Sequence, residues 1–250
     1  MRVVVCGSPA SAGQFGAAVV AAGLSRALVR RDRARLLLST GESQFETLRE
    51  LVRRPVEWPR VDAFHLDEYV GLDPMHPASF RRYLRERVAS IVPLQMHYVD
   101  PSSAEALMGL RDLVGAAPMD VALVGIGENG HIAFNDPPAD FTTTDPYIEV
   151  KLDDRCRAQQ VREGWFADVQ DVPARAVTMS VREIMRSNEI VSVVPHAQKA
   201  EAVRRLLTCP SVSPELPASV LTTHEHSLLV LDRASSQALP KEVWDQCVVL

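Results

Sequence analysis

The sequence is poor in the features that mark several large classes of protein. Only four of its 250 residues are cysteines, and no two of them form a CxxC pair: Cys6, Cys156, Cys209 and Cys247. Such scattered cysteines are typical of reduced thiols rather than of a disulfide framework or a zinc site. No apolar run approaches the roughly 20 residues that span a bilayer, and the N-terminal MRVVVCGSP is too short for a signal peptide. We therefore expect a cytoplasmic protein with no membrane partner.

An excess of positive charge is also absent. The chain has 27 Lys and Arg against 32 Asp and Glu, a formal net charge of -5 and a pI near 5.8. Nucleic-acid-binding domains usually present a basic surface, so we expect no nucleic-acid partner. Hydrophobic residues make up 46% and charged residues 24%, which is typical of a globular protein with a sizeable core.

What the chain does contain is a regular alternation of strand-like and helix-like segments. Short apolar runs predict strands at 2–6, 35–38, 60–66, 96–99, 121–124, 147–150, 176–179, 189–194 and 227–231. Longer segments with helical periodicity predict helices at 11–30, with Ser11 as a possible N-cap, and at 44–53, 79–88, 103–114 and 198–207. Residues 153–168 are polar and give no clear pattern. The alternation, without repeats or linkers, predicts an α/β protein: one domain over residues 1–250, a three-layer α/β/α sandwich with a mostly parallel, doubly wound sheet.

The stretch VALVGIGENGHIAFNDP at 121–137 carries the densest chemistry. An apolar run suited to a fully buried strand breaks into a glycine-rich loop, and glycines let a backbone approach a ligand at the carboxyl end of a strand. Within nine residues, 128–136, this loop offers an imidazole, two carboxylates and two amides. It is a plausible acid–base site, although a strand followed by an ordinary polar loop would look similar.

Three other loops are expected at the same edge of the sheet. Residues 67–69, Asp-Glu-Tyr, follow the third strand with adjacent carboxylates. Residues 39–43, Ser-Thr-Gly-Glu-Ser, precede a helix whose free N–H groups favour an anion such as phosphate. Lys199 lies in the first turn of another helix, where the helix dipole disfavours a cation, and this points to an anionic partner.

Three segments are specific enough to indicate a family: FHLDEYVGL at 64–72, HPASFRRYL at 76–84 and LVGIGENGHIAFNDP at 123–137. Weaker matches are STGES at 39–43, VPARAVTMSV at 172–181 and HAQKA at 196–200. In this order, and over nearly the whole chain, they resemble the glucosamine-6-phosphate deaminase (isomerase) family. The related phosphogluconolactonases share the fold and a GxGxDGH loop, but they typically continue this loop toward a TASLFP-like sequence rather than AFN.

The resemblance implies ring opening of an amino sugar phosphate, aldose-to-ketose isomerisation and loss of ammonia, without a metal or organic cofactor. Carried over by position, Asp67 is the base that moves a proton between C2 and C1. His131 opens the ring, with Asp136 and Asn129 setting its orientation. The residues implied to contact the substrate, most of them around its phosphate, are Thr40, Gly41, Glu42, Ser43, Glu68, Gly130, Arg162 and Lys199.

Four positions depart from the family pattern. Asn129 and Asp136 stand where better-known members carry Asp and Glu, and Glu42 replaces the second of two glycines. The arginine that usually completes the phosphate site has no counterpart; Gly164 falls near it and Arg162 is the nearest substitute. Two alternatives therefore stay open, namely an enzyme acting on another (amino)sugar phosphate or a 6-phosphogluconolactone, and a non-catalytic sugar-phosphate sensor. We expect a monomer or small homo-oligomer.

Overall fold

The computed structural model describes residues 1–250 and contains two sheets. In chain order the strands are β1 Arg2–Cys6, β2 Ala34–Leu38, β3 Val61–His65, β4 Asp67–Tyr69, β5 Gln95–His97, β6 Val121–Leu123, β7 Tyr147–Lys151, β8 Arg175–Met179, β9 Glu189–Val194, β10 Ser227–Asp232 and β11 Val248–Val249. Eight of them form a parallel sheet in the order β11-β1-β10-β9-β6-β2-β3-β5. The other three form a small antiparallel sheet in the order β4-β8-β7.

Helices cover both faces of the parallel sheet. They are α1 Pro9–Arg30, α2 Phe45–Leu51, α3 Phe80–Leu84, α4 Ala104–Gly115, α5 Asp154–Arg162, α6 Val181–Met185, α7 Ala200–Thr208 and α8 Lys241–Trp244. Helices α1, α2 and α3 pack on one face and α4, α6 and α7 on the other, so each face has its own apolar core. Alternate residues of a strand serve the two cores: Leu36 and Leu38 point to the first, Leu37 to the second. The predicted three-layer α/β/α fold is confirmed.

The antiparallel sheet was not expected from the sequence. Residues 67–69 were predicted as a loop, but they pair with Ala176–Thr178 of β8 as the strand β4. The composition of a strand does not show which sheet the strand joins. The sequence therefore predicted β8 as a strand but not its pairing with β4 and β7. The unassigned polar segment after Leu152 forms α5, whose N-cap Asp153 accepts a hydrogen bond from the backbone N–H of Cys156.

Helix α1 corrects two expectations. Its N-cap is Ser8, and Ser11 lies at the third helical position, where its hydroxyl completes a capping box. The helix also has the length and apolar composition of a membrane-spanning segment, contrary to our expectation that no such segment exists. Its most apolar stretch is 56% buried within this structure. A helix that packs against a sheet in a protein core is also long and apolar, so its composition resembles that of a membrane-spanning helix.

Four neighbouring strands position the loops of interest. Strands β9, β6, β2 and β3 are consecutive in the sheet and parallel, so their carboxyl ends open at one edge. The segments that follow them carry Lys199, residues 125–136, residues 39–44 and, at the start of β4, Asp67. Ligands in open α/β sheets bind at such an edge.

Candidate active site

An open cavity lies at this edge of the sheet. Residues from all four loops line it, and Asp67 and His131 share it. The expectation that these two side chains open into one cleft is therefore confirmed. We call the side with Asp67, His131 and Asp136 the acid–base end. The side with residues 40–43, Glu163 and Lys199 is the lysine end.

Asp67 is the first residue of β4 and is 5% exposed. Burial raises the pKa of its carboxyl well above the ordinary value, and the neighbouring Glu68 carboxylate adds to the rise. No hydrogen bond offsets this shift. A buried carboxyl with a raised pKa and a free approach from the cavity is suited to receive and return a proton.

Glu68 faces away from the cavity, although we expected it to contact the substrate. Its carboxylate accepts hydrogen bonds from the Ser79 hydroxyl at 2.9 Å and from the backbone N–H groups of Tyr69, Phe80 and Arg81 at 2.9, 3.3 and 2.8 Å. Burial raises the pKa of Glu68, and these hydrogen bonds partly offset the rise. Because alternate strand residues point to opposite sides, Asp67 and Glu68 cannot both face the ligand. Glu68 instead ties β4 to the start of α3.

His131 and Asp136 form a close pair. Nδ1 of His131 lies 2.9 Å from Oδ1 of Asp136, although the ring N–H is not well aligned with that oxygen. Burial tends to raise the pKa of Asp136, but the contacts with His131, Asn129 and the Asp153 N–H outweigh it and hold the pKa below its usual range. Asp136 therefore stays a carboxylate beside the imidazole. Its side chain, one methylene shorter than Glu, reaches the ring.

Asn129 supports this pair from outside the cavity. Its amide nitrogen donates to Oδ1 of Asp136 at 3.0 Å, and its amide oxygen accepts from the backbone N–H of His131 at 2.9 Å. We expected Asn129 to hold the imidazole itself. It holds the imidazole's partner and backbone instead.

Two glycines shape the loop between them. A Cβ at Gly127 would meet Nε2 of His131 at 2.2 Å, so any side chain there would displace the ring. Gly130 has φ +92°, which favours glycine, and its N–H donates to the carbonyl of Gly127 at 3.0 Å. We expected Gly130 to contact the substrate, but it does not line the cavity. Its role is to shape the turn.

At the lysine end, Thr40, Gly41, Glu42 and Ser43 line the cavity as predicted. Gly41 has φ +95°, and its carbonyl accepts a hydrogen bond from the Tyr83 hydroxyl at 2.9 Å, which anchors the loop. Glu42 is exposed at the rim. Lys199 is only 6% exposed and lines the cavity without an ion pair to any carboxylate. Burial lowers the pKa of Lys199, while Glu163, Glu128 and Glu42 act in the opposite direction.

Arg162 does not join the lysine end. Its guanidinium donates to Oε2 of Glu128 at 2.6 Å and the side chain is 55% exposed, outside the cavity lining. The sequence interpretation instead missed Gln159, Gln160 and Glu163, which do line the cavity. Their spacing on α5, once that segment is known to be helical, places Gln159 and Glu163 one turn apart on the same face.

One set of side chains could hold a metal ion. Ligand atoms of His131, Asp136 and Cys156 lie within 4.8 Å of one another. Burial raises the pKa of the Cys156 thiol well above its ordinary value, with Asp136 adding to the rise, so the thiol is held in its protonated form. A protonated thiol is a poor ligand, and we assign this set to the acid–base end.

Comparison with known proteins identifies the family. Residues 8–230 match the family described as glucosamine-6-phosphate isomerases/6-phosphogluconolactonase. The chain belongs to this family. It is 36% identical over 239 residues to a glucosamine-6-phosphate deaminase of Arthrobacter sp. (strain FB24), covering 90% of this chain and 89% of that protein. It is 34% identical over 209 residues to one of Exiguobacterium sibiricum, covering 82% and 81%.

Solved structures agree with this assignment. A monomeric glucosamine-6-phosphate deaminase superposes with a TM-score of 0.87 at 28% identity, covering 95% of this chain and 100% of its own. The 6-phosphogluconolactonase of Thermotoga maritima superposes with a TM-score of 0.75 at 17% identity, covering 93% and 99%. At that identity the lactonase shares the fold, and nothing further follows from the likeness.

Proposed function

We propose that this protein is a glucosamine-6-phosphate deaminase, which converts glucosamine 6-phosphate to fructose 6-phosphate and ammonia. The observation that supports the proposal is that Asp67, His131 and Lys199 line one cavity. The deaminases of Arthrobacter and Exiguobacterium, more than 30% identical over most of the chain, support the same activity.

Ring opening is the work of His131. Its Nδ1 faces Asp136, which leaves Nε2 to take the proton of the C1 hydroxyl and to return a proton to the ring oxygen as the C1–O5 bond breaks. The Asp136 carboxylate stabilises the imidazolium that forms between the two transfers. Asn129 keeps that carboxylate in place.

Isomerisation and deamination follow at Asp67. Its carboxylate removes the proton on C2 while a proton of the substrate ammonium passes to the C1 carbonyl oxygen, which gives a neutral enolamine. Protonated Asp67 then delivers its proton to C1, so that an iminium forms at C2. Water adds to C2, and ammonia leaves as the ketone forms. The substrate ammonium, adjacent to the C2–H bond, favours the ionised form of Asp67 when substrate is bound. A raised pKa also makes this carboxylate a stronger base than an exposed aspartate.

The remaining parts of the proposal concern binding and assembly. Lys199 and residues 40–43 hold the phosphate, and the reaction needs no metal or organic cofactor. Residues 1–250 act as one domain in the cytoplasm, as a monomer or small homo-oligomer. The deaminase structure described as monomeric, which matches over its whole length, supports this assembly.

Ammonia release from glucosamine 6-phosphate tests the proposal. Purified protein should release ammonia and fructose 6-phosphate in equal amounts, and the Asp67→Asn variant should not. Glu163 beside Lys199 motivates a parallel panel of other aminohexose phosphates and 6-phosphogluconolactone. If the protein turned over another compound of the panel but not glucosamine 6-phosphate, that compound would be assigned as the substrate. If it bound a ligand of the panel but turned over none, a sensor would be favoured.

A further inference from the structure

The lysine end holds more negative than positive charge. Glu42 and Glu163 line it together with Lys199, and Glu128 lies near enough to act on the lysine. The guanidinium of Arg162 lies nearby, but it is engaged by Glu128 at 2.6 Å. A phosphate dianion entering this end therefore meets one free ammonium and two carboxylates, which is a poor balance for a fully ionised group.

Glu163 is held in a fixed position. One carboxylate oxygen accepts from the side-chain amide of Gln159 at 2.6 Å and the other from the indole N–H of Trp165 at 3.2 Å. Trp165 itself packs against the rings of Phe45 and Tyr83. A carboxylate with this support does not swing away from a ligand as an exposed glutamate would.

Titratable groups from three elements surround Glu163. Its charge acts on Lys199 in the turn before α7, on Tyr83 of α3 and on Tyr69 of β4, where it acts to raise each pKa. Arg87 also acts on Tyr83, but its guanidinium stacks over the rings of Phe45 and Tyr83. None of these groups forms an ion pair with Glu163. The carboxylate lines the cavity, and each of its oxygens accepts one hydrogen bond within the protein, so it can accept another from a ligand.

We propose that Glu163 is a specificity-determining residue that accepts a hydrogen bond from a protonated oxygen of the phosphoryl group, while Lys199 binds an ionised oxygen of the same group. The site then takes a phosphoryl group that carries one proton and rejects a tetrahedral anion that carries none. The inference rests on the proposed function in taking the ligand to be a phosphate monoester.

The proton balance of this step is simple. A sugar phosphate loses its second proton near pH 6, so above that pH it takes one proton from the solvent as it binds and donates it, as P–O–H, to the Glu163 carboxylate. Inorganic phosphate still carries a proton at mildly alkaline pH and needs none. Sulfate has the same charge and shape there but no proton to donate.

Binding of inorganic phosphate and sulfate tests the proposal without turnover. At mildly alkaline pH, thermal shift titration of the wild-type protein should give an affinity for phosphate at least about tenfold above that for sulfate, the worth of one charge-assisted hydrogen bond. In Glu163→Gln the amide can donate to either anion, so sulfate should bind about as well as phosphate. Equal binding in the wild type, no phosphate binding at all, or an unchanged ratio in Glu163→Gln would each overturn the proposal.

Glu128→Gln is the matched control. Glu128 also acts on Lys199 but is paired with Arg162 and does not line the cavity. Its neutralisation should change phosphate and sulfate binding by the same factor, and a change in their ratio would contradict the assignment to Glu163.

Calorimetry with fructose 6-phosphate gives a second readout. This proposed product cannot react without ammonia. In buffers of different ionisation enthalpy, the wild type should take up about one proton per ligand above pH 6, and Glu163→Gln should take up markedly less. Binding without proton uptake by the wild type would overturn the proposal. A protein that passes these binding tests but releases no ammonia would instead contradict the proposed function.

Discussion

At the acid–base end, Asp136 contacts His131, Asn129 and the backbone of Asp153, whereas at the lysine end the Lys199 ammonium meets no carboxylate within ion-pair distance. The first set of contacts is made within the protein before any ligand arrives, and it holds Asp136 beside the imidazole that is proposed to move a proton. The second arrangement leaves the buried Lys199 ammonium at the cavity wall without a counter-charge, and a bound anion would supply that charge. The proposed proton-transfer groups are therefore held by protein contacts, while the proposed anion site contains a buried charge without a partner.

The largest effect should come from removing the base. Asp67→Asn should lower kcat by about 10³-fold, because the amide cannot accept the proton from C2. Fructose 6-phosphate should still raise the melting temperature, since the lysine end is untouched. Ammonia release and thermal shift measure the two quantities. If the variant kept more than about a tenth of wild-type kcat, Asp67 would not be the base.

Removing the charge at the other end should affect binding instead. Lys199→Met should raise KM about 100-fold, the cost of losing an ammonium–phosphate contact, while kcat falls much less. The exposed Lys241 of α8, far along the chain from the cavity loops, offers the control Lys241→Met with unchanged kinetics. A fall in kcat with constant KM would place Lys199 among the groups that act on the reacting carbons.

The departure at Asn129 gives a subtler test of the acid–base end. Asn129→Asp restores the residue that better-known members carry, yet it should lower kcat/KM about tenfold, because it replaces an N–H donor to Asp136 with a second carboxylate. The added negative charge should also move the acid limb of the pH–rate profile upward. The double variant Asn129→Asp/Asp136→Glu, which restores the usual pair, should recover activity. Failure to recover would show that the two positions are not coupled.

The two ends also differ in how far the sequence predicted them. Asp67 and His131 share one cleft as expected, because each follows a short buried strand and neighbouring parallel strands end at one edge. Asp136 lies beside His131. Glu163 was missed because α5 is polar and lacks the apolar periodicity that reveals a helix. Arg162, its neighbour in sequence, was chosen instead and points to Glu128.

Glu68 shows a different limit of sequence interpretation. Two adjacent carboxylates in a loop can both face a ligand, but in a strand they cannot. The strand β4 exists only because β8, more than 100 residues later, pairs with it. A pairing of that separation leaves no local signal at positions 67–69, so the orientation of Glu68 could not be inferred.

The raised pKa of Asp67 has a consequence for stability. Between the ordinary aspartate pKa of 3.8 and the raised folded value, the folded protein keeps a proton that the unfolded chain has lost. Stability therefore falls as the pH rises through this window. Asp67→Asn cannot ionise, so at a pH above the window it should melt at a higher temperature than the wild type, and the difference should vanish near pH 4. A variant that is less stable than the wild type at every pH would mean that the carboxyl makes contacts the amide cannot.

The smallest effect on activity is expected at Glu68, whose carboxylate contacts only protein groups. Ser79→Ala removes the N-cap of α3 and one of the four hydrogen bonds to Glu68, whose other three donors are backbone N–H groups. It should cost about 1 kcal/mol of unfolding free energy, measured by denaturant titration, and leave kcat and KM unchanged. A loss of stability without a loss of activity would separate the structural role of Glu68 from the catalytic role proposed for Asp67. If Ser79→Ala instead lowered kcat without lowering stability, Glu68 would be assigned to the substrate site.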